Sequence, residues 1–245
     1  MSRAALLIHG MTGAPAQLQP QQQALESAGW TVGNPLLLGH GTDIRTMESL
    51  RWEEWYQDVV RVARDLQQRT ATTAIDLVGL SFGGLLGLKL AIDHPTWIRR
   101  MVCMAAPLCF SRGVRCLLPL ARWTPLRFRR YWKKDYARAV ADPIGRARYR
   151  AMGYDRFPTR AVLEMARLQR TIWPQLSRIT TPLLIVHARH DATVPRESSR
   201  MLFDAVQGPK RFVVLEQSLH VVTLDREQAA LNAHIVRFLS EALPA

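Results

Sequence analysis

The sequence predicts an α/β fold: a mostly parallel, doubly wound sheet with helices on both faces and a helical insertion. Short apolar runs of strand length, rich in Val, Ile and Leu, recur along the chain. They alternate with amphipathic segments of helical period, which implies parallel strands joined by helical crossovers. One long segment between Pro107 and Ile172 interrupts this alternation and is interpreted as the insertion.

Five apolar runs are predicted as buried parallel strands, because each is apolar on both faces. They are residues 4–10, 74–80, 100–107, 182–189 and 211–218. A further strand and turn are expected within 29–41. The amphipathic segments predicted as helices are 15–28, 52–69, 82–93, 198–206 and 227–242, of which the third ends before Pro95 and the last before Pro244.

The interrupting segment predicts how the chain is divided. It contains prolines, aromatic residues and helical patches near 129–141 and 159–171, but no convincing buried strand. We expect it to follow the fourth or fifth strand. Residues 1–107 and 173–245 would then form the α/β core, and residues 108–172 a helical cap.

The positive charge is concentrated in that same segment. The 245-residue chain carries a formal net charge of +13, and residues 112–160 hold twelve Arg and two Lys against three Asp. A solvated helical surface is the simpler interpretation. The alternative is a surface with aromatic residues (Trp123, Phe128, Tyr131, Trp132) that makes peripheral contact with an anionic membrane. No nucleic acid partner is expected, because no binding motif accompanies the charge.

The chain shows no targeting signal and no cofactor motif. Its first apolar run is too short for a signal peptide and no run is long enough to span a membrane, so a cytoplasmic location is predicted. Cys103, Cys109 and Cys116 lack metal-binding spacing and are expected to be reduced thiols. His187 and His190 flank an aspartate, but no complementary ligand cluster exists, so no metal is predicted.

Chemically useful side chains follow the predicted strands at the points where they end. Ser81, Asp191 and His220 each come after such a run, and the carboxyl ends of parallel strands meet at one edge of a sheet. Ser81 lies between Gly79 and Gly83, which allow a sharp strand-to-helix turn with an exposed hydroxyl. The sequence therefore predicts that these three side chains converge.

The three side chains have complementary chemistry. A serine hydroxyl needs a base to become a nucleophile, and His220 can supply one while Asp191 fixes its tautomer. Asp225 is the alternative acid, disfavoured because it shares a loop with His220. The negative oxygen formed on attack needs preset N–H donors, for which the backbone amides of Met11 and Phe82 are the candidates.

Other conspicuous residues have simpler interpretations. His9 could act as a second base, but a structural role that fixes the loop after the first strand is favoured. His40, in a Gly-His-Gly turn, is also expected to be structural. Trp52, Trp55 and Tyr56 have helical spacing and are predicted to pack in the core rather than to form a ligand platform.

These motifs resemble the α/β-hydrolase superfamily, and more narrowly bacterial carboxylesterases and monoacylglycerol lipases with a small helical cap. The motifs are LLIHGMTGAP (6–15), LLLGHGT (36–42), WEEWYQDV (52–59), GLSFGG (79–84), HARHDATVP (187–195) and SLHVVTLD (218–225). The resemblance implies a cofactor-free serine hydrolase acting on small or lipid-like esters through an acyl-enzyme. It also implies that Ser81, Asp191 and His220 form the triad, with Met11 and Phe82 as oxyanion donors. The sequence departs from the family at Leu219, where glycine is common, so the loop that carries His220 could take another path.

Two alternatives to ester hydrolysis stay open on the sequence. The same triad serves thioesterases and acyltransferases, and an apolar cap that excludes water would favour acyl transfer. A protein of another class, a basic surface-binding protein on a hydrolase scaffold, would explain the positive charge without catalysis.

Overall fold

A computed structural model describes residues 3–110 and 130–241. Its main sheet has six strands, all parallel, in the order β2-β1-β3-β4-β7-β8. The strands are β1 (Arg3–Ile8), β2 (Trp30–Gly33), β3 (Ile75–Leu80), β4 (Ile98–Met104), β7 (Leu183–Ala188) and β8 (Lys210–Leu215). The chain winds outward from β1 to β2 and then from β3 in the opposite direction. The topological switch point thus lies between β1 and β3, where ligands bind in open α/β sheets.

Helices cover both faces of this sheet. The helices of the described residues are α1 (Gln19–Ser27), α2 (Ile44–Ser49), α3 (Trp52–Thr70), α4 (Phe82–Asp93), α5 (Tyr136–Ala139), α6 (Pro143–Ala151), α7 (Thr159–Ile172), α8 (Glu197–Ala205) and α9 (Gln228–Ser240). Alternate residues of β1 enter different cores: Leu6 packs in the cluster that includes α3 and α4, and Leu7 in the cluster that includes α1 and α9. The doubly wound parallel sheet predicted from the sequence is therefore confirmed.

The predicted elements of the α/β core are confirmed, with ends displaced by a few residues. The predicted strand within 29–41 is the four-residue β2, and the first part of the helix predicted over 15–28 is a 3-10 turn, Pro15–Leu18. Helix α2 was not predicted. The aromatic residues behave as core residues: Trp55 is fully buried edge-on against Phe82, with ring centroids 5.2 Å apart, and Tyr56 is buried, while Trp52 is half-buried.

The connection from β4 to β7 (residues 105–182) contains more than helices. A short antiparallel hairpin, β5 (Tyr131–Lys133) and β6 (Arg156–Pro158), precedes α7. The helix predicted over 159–171 is confirmed, but the patch predicted near 129–141 was wrong in its first part, which is β5, and helix α6 was not predicted. Strands of three residues outside the main sheet carry no long apolar run, so periodicity does not reveal them.

Some sequence predictions fall outside the described residues. Cys116, Trp123 and Phe128 lie in residues 111–129, as do several of the clustered arginines, so the proposed membrane-facing surface stays a prediction. Within residues 3–110 and 130–241, no helix combines the length and the apolar character needed to cross a membrane.

Candidate active site

Ser81 occupies a strained position between β3 and α4. Its backbone angles are φ 53° and ψ −116°, a left-handed conformation that side-chain-bearing residues rarely adopt. The Ser81 N–H donates to the carbonyl oxygen of Met104 in β4 (2.8 Å), and the Ser81 carbonyl accepts from the N–H of Gly84 (2.9 Å). Strain of this kind persists only where surrounding structure imposes it, and here it places the hydroxyl at the apex of the turn.

The two glycines that flank Ser81 are required by close backbone approach. A Cβ at Gly79 would lie 2.6 Å from the Gly83 carbonyl oxygen. A Cβ at Gly83 would lie 2.1 Å from the carbonyl oxygen of Ile8, at the end of β1. Both distances are far below van der Waals contact, so only glycine lets α4 begin this close to the sheet.

The structure brings Ser81, Asp191 and His220 together. His220 Nε2 lies 3.1 Å from Ser81 Oγ, and His220 Nδ1 lies 2.8 Å from Asp191 Oδ2. Because the carboxylate accepts the Nδ1 proton, Nε2 is free to accept the serine proton. The second carboxylate oxygen of Asp191 accepts the N–H groups of Thr193 and Val194, at 2.8 and 2.9 Å.

Asp191 is held in its ionised form. Its side chain is only 1% exposed, and burial by itself would raise the pKa of the carboxyl. The charge and hydrogen bond of His220 and the N–H of Val194 outweigh burial, so the pKa lies below its usual value. The carboxylate therefore stays charged at neutral pH and can stabilise an imidazolium at His220.

His187 supports the loop that carries Asp191, a role the sequence did not reveal. Its Nε2–H donates to the carbonyl oxygen of Val194 (3.1 Å), and its Nδ1 accepts from the Ser199 hydroxyl (2.8 Å). Burial lowers the pKa of His187, which keeps the ring neutral. Across the described ranges, no group of three His, Cys, Asp or Glu side chains is arranged to hold a metal ion.

Two carboxylates hold the loop that carries His220. Asp225 accepts the N–H of Leu219 (2.7 Å) and three further backbone amides, so it braces the backbone rather than His220. Glu227 accepts the N–H groups of residues 216–218 and the Ser218 hydroxyl, at 2.7–3.0 Å. Leu219 has no positive φ, so the departure from glycine neither strains the loop nor moves His220 away from Ser81.

The loop after β1, residues 9–14, brings Met11 to the same site. The N–H of Gly10 donates to Gln17 Oε1 (3.1 Å), and the Gly10 carbonyl accepts from the N–H of Gly13 (3.1 Å). Met11 lines the same cavity as Ser81. Within the described residues, neither the Met11 N–H nor the Phe82 N–H has a hydrogen-bond partner, so both amides remain free to donate.

Two buried histidines brace this loop as neutral rings. His9 accepts from the N–H of Leu37 at Nε2 (3.2 Å) and donates from Nδ1 to the Gly10 carbonyl (2.9 Å). His40 accepts the N–H of Thr12 at Nε2 (3.1 Å). Burial lowers the pKa of His9 to about 3 and that of His40 to about 4. These contacts agree with structural roles for both histidines, since neither ring contacts Ser81.

Ser81 and His220 open into an apolar cavity of about 320 Å³. Much of its wall comes from the β4–β7 connection, and polar side chains are few. The wall residues of that connection are Pro107, Cys109, Phe110, Trp132, Tyr149, Phe157, Thr159, Val162, Leu163 and Met165. A cavity of this size and lining accommodates an apolar group of a small molecule.

The serine turn at the switch point and the aspartate and histidine at later strand ends together define an α/β hydrolase. Comparison with known proteins gives the family: residues 2–227 match the family described as serine aminopeptidase, S33, and the chain belongs to it.

Individual relatives are similar over nearly their whole length. A thermostable monoacylglycerol lipase of Bacillus sp. (strain H-257) is 30% identical over 244 residues, which cover 96% of this chain and 90% of the lipase. A carboxylesterase of Bacillus subtilis (strain 168) is 26% identical over 246 residues, or 98% and 93% of the two chains. The structure of a metagenome-derived lipolytic enzyme superposes with a TM-score of 0.82 at 25% identity and covers 97% of this chain and 94% of that one. The chain is thus a hydrolase that resembles esterases and monoacylglycerol lipases.

Proposed function

We propose that this protein is a serine hydrolase that cleaves carboxylic esters through an acyl-enzyme. The observation that carries the proposal is the unbroken relay from Ser81 Oγ through His220 to Asp191, at 3.1 and 2.8 Å, at the floor of an apolar cavity. The esterase and lipase names of the relatives support an ester as the substrate class.

The geometry supports a two-step reaction. Ser81 Oγ attacks the ester carbonyl carbon while His220 Nε2 takes the hydroxyl proton, and Asp191 stabilises the resulting imidazolium. The carbonyl oxygen becomes an oxyanion opposite the N–H groups of Met11 and Phe82. The intermediate collapses when His220 returns the proton to the departing alcohol oxygen. A water molecule, deprotonated by His220, then attacks the acyl carbon. The bond from that carbon to Ser81 Oγ breaks as His220 returns the proton to Oγ, which releases a carboxylic acid and restores Ser81.

In this proposal the β4–β7 connection is a cap over the core. We assign residues 108–172 to the cap and the remainder to the α/β core, because Trp132, Phe157, Val162 and other side chains of that segment wall the cavity above Ser81. The acyl chain would occupy this apolar space. Trp132 and Leu163, which are 36% and 38% exposed, would stand where the substrate enters.

The test is hydrolysis of p-nitrophenyl esters of rising acyl length by the wild type and by Ser81→Ala. We expect Ser81→Ala to lose at least about 1000-fold in kcat with an unchanged Tm, since its attacking atom is gone. Ser49→Ala, which removes an exposed hydroxyl, is the matched control. A fluorophosphonate probe should label the wild type and not Ser81→Ala. Retained turnover or labelling in Ser81→Ala would refute the proposal.

Acyl transfer is the second candidate, because the apolar cavity limits the water available to the acyl-enzyme. Including a primary alcohol in the same assay separates the two reactions. A new ester as the main product would favour transfer, and free acid alone would favour hydrolysis.

A further inference from the structure

Lys134, at the end of the β5 strand, carries a buried charge that the mechanism above does not use. Its residue is 6% exposed, and within residues 3–110 and 130–241 no carboxylate lies within ion-pair distance. Its ammonium stands over the rings of Tyr149 (4.7 Å to the centroid) and Phe157 (5.5 Å). Its hydrogen-bond acceptor is the carbonyl oxygen of Thr12, at 3.0 Å. Lysine is almost never fully buried unless it is paired with another group.

Thr12 follows Met11, the proposed oxyanion donor, and is held on both sides. From the core, His40 Nε2 accepts the Thr12 N–H. From the β4–β7 connection, Lys134 Nζ and the N–H of Tyr154 both donate to the Thr12 carbonyl, each at 3.0 Å. A Cβ at Gly153 would lie 2.2 Å from that same oxygen, so the two backbones meet as closely as they can.

These hydrogen bonds hold Thr12 in a backbone conformation that threonine disfavours. Thr12 has φ 59°, and a β-branched residue in the left-handed region is disfavoured by roughly 1–2 kcal/mol. If Thr12 relaxed, the peptide planes on either side of it would rotate and the path of the 9–14 loop would change. Met11, which precedes Thr12, would then be displaced and its N–H would leave the oxyanion position. The bond from Lys134 is charge-assisted and therefore among the stronger restraints available.

We propose that Lys134 is a positioning residue that holds the 9–14 loop in the conformation in which the Met11 N–H faces the oxyanion. Stabilisation of the transition state therefore depends on the packing of the cap against this loop. This inference rests on the proposed function. Lys134 contacts neither the substrate cavity nor the reacting atoms and acts through Thr12.

The charges around Lys134 give the arrangement a pH dependence. Burial lowers the pKa of Lys134 to about 7, opposed by Asp155, the carboxylate that acts on it from the residue before β6. His9 and His40 face it from the core and are neutral at that pH, and Tyr149 of α6 is neutral because burial raises its pKa. Activity should fall as the pH rises and Lys134 loses its proton, since the bond to Thr12 then loses its charge assistance.

The experiment compares Lys134→Met and Lys134→Gln with Lys133→Met, which removes the exposed neighbouring lysine. Measurements are kcat and KM from pH 6 to 9.5, Tm, and the inhibition constant of an alkyl trifluoromethyl ketone, whose serine adduct carries an oxyanion. We expect both Lys134 variants to lose about 10- to 100-fold in kcat with KM within about twofold. Their affinity for the ketone should fall in parallel, and the alkaline decline seen in the wild type should disappear. Lys133→Met should match the wild type.

The outcomes separate this inference from the function on which it rests. If wild-type protein neither hydrolyses esters nor reacts with a fluorophosphonate, the proposed function fails. If the wild type is active but the Lys134 variants retain its kcat and ketone affinity, the positioning role is overturned and the hydrolase remains. Lys134 variants with a lower Tm but unchanged ketone affinity would also overturn the positioning role, because Lys134 would then contribute only to packing. If Lys134→Met does not fold, Lys134→Gln supplies the same comparison.

Discussion

Replacing Asp191 with asparagine should move the ring proton of His220, the proposed base, from Nδ1 to Nε2 while leaving the position of the ring unchanged. Oδ1 of Asp191 accepts two backbone N–H groups, from Thr193 and Val194, and only an oxygen can occupy that place. The amide nitrogen of the asparagine must therefore face His220 Nδ1, 2.8 Å away in the wild type. The ring then accepts at Nδ1 and carries its proton on Nε2, where it points at Ser81 Oγ and cannot remove the serine proton.

The loss expected from the wrong tautomer is about 10⁴-fold in kcat, or roughly 5.4 kcal/mol in activation free energy. Hydrolysis of p-nitrophenyl butyrate at pH 7.5 measures it. The Tm should change little, because the substitution keeps the shape and both backbone hydrogen bonds. Asp204→Asn, which neutralises an exposed carboxylate of α8, controls for net charge. An Asp191→Asn variant with more than a tenth of wild-type kcat would refute the assignment of Asp191 as the residue that orients His220.

Two further predictions concern the backbone around the site. Gly83→Ala places a methyl group 2.1 Å from the Ile8 carbonyl oxygen and should lower the free energy of unfolding by about 1–3 kcal/mol, a fall of about 2–12 °C in Tm. Gly33→Ala, whose methyl group would lie 3.4 Å from its nearest neighbour, should leave the Tm unchanged. Equal Tm values for the two variants would contradict the close approach at Gly83. Glu227→Gln turns an amide group toward one of its backbone donors and should lower the free energy of unfolding in urea by about 1–3 kcal/mol at pH 7. Burial opposes ionisation of Glu227, but hydrogen bonds from Ser218 and its neighbours outweigh burial and lower its pKa in the folded protein. The stabilisation by the Glu227 carboxylate is therefore fully present above the pKa of glutamate in the unfolded chain, about 4.3, and is lost as the pH falls through the lower pKa of the folded state. A difference between Glu227→Gln and wild type that persists undiminished at pH 3 would show that another interaction is responsible.

The sequence predicted the parts of this protein that depend on recurrent apolar runs of strand length and on tight glycine turns. Apolar runs such as residues 74–80 predict a strand that is covered on both faces. The serine between Gly79 and Gly83 predicts the tight turn that follows this strand. Because parallel strands end at one edge, the meeting of Ser81 with two distant side chains followed from order alone.

The parts that could not be predicted depend on contacts across the fold. Lys134 sits in a sequence that reads as an exposed basic stretch, and only packing against Tyr149 and the 9–14 loop buries it. His187 was considered as a metal ligand because it and His190 flank Asp191, and no metal was predicted. Its actual partner, Ser199, comes from α8 and could not be identified from the sequence. Asp225 was considered as the triad acid. Its hydrogen bonds to the backbone N–H groups of Ala141 and Leu219 could not be predicted from the spacing of residues in the sequence.

The distance along the chain between the serine and the histidine has a consequence for biosynthesis. His220 lies 139 residues after Ser81, and helix α9, which follows it, packs against α1 through a bond between Asn232 and Gln21. A ribosome-bound chain therefore contains Ser81, the proposed nucleophile, long before His220, its proposed base, has been synthesised. Under the proposed function, the growing polypeptide gains esterase activity only after translation has passed β8 and His220.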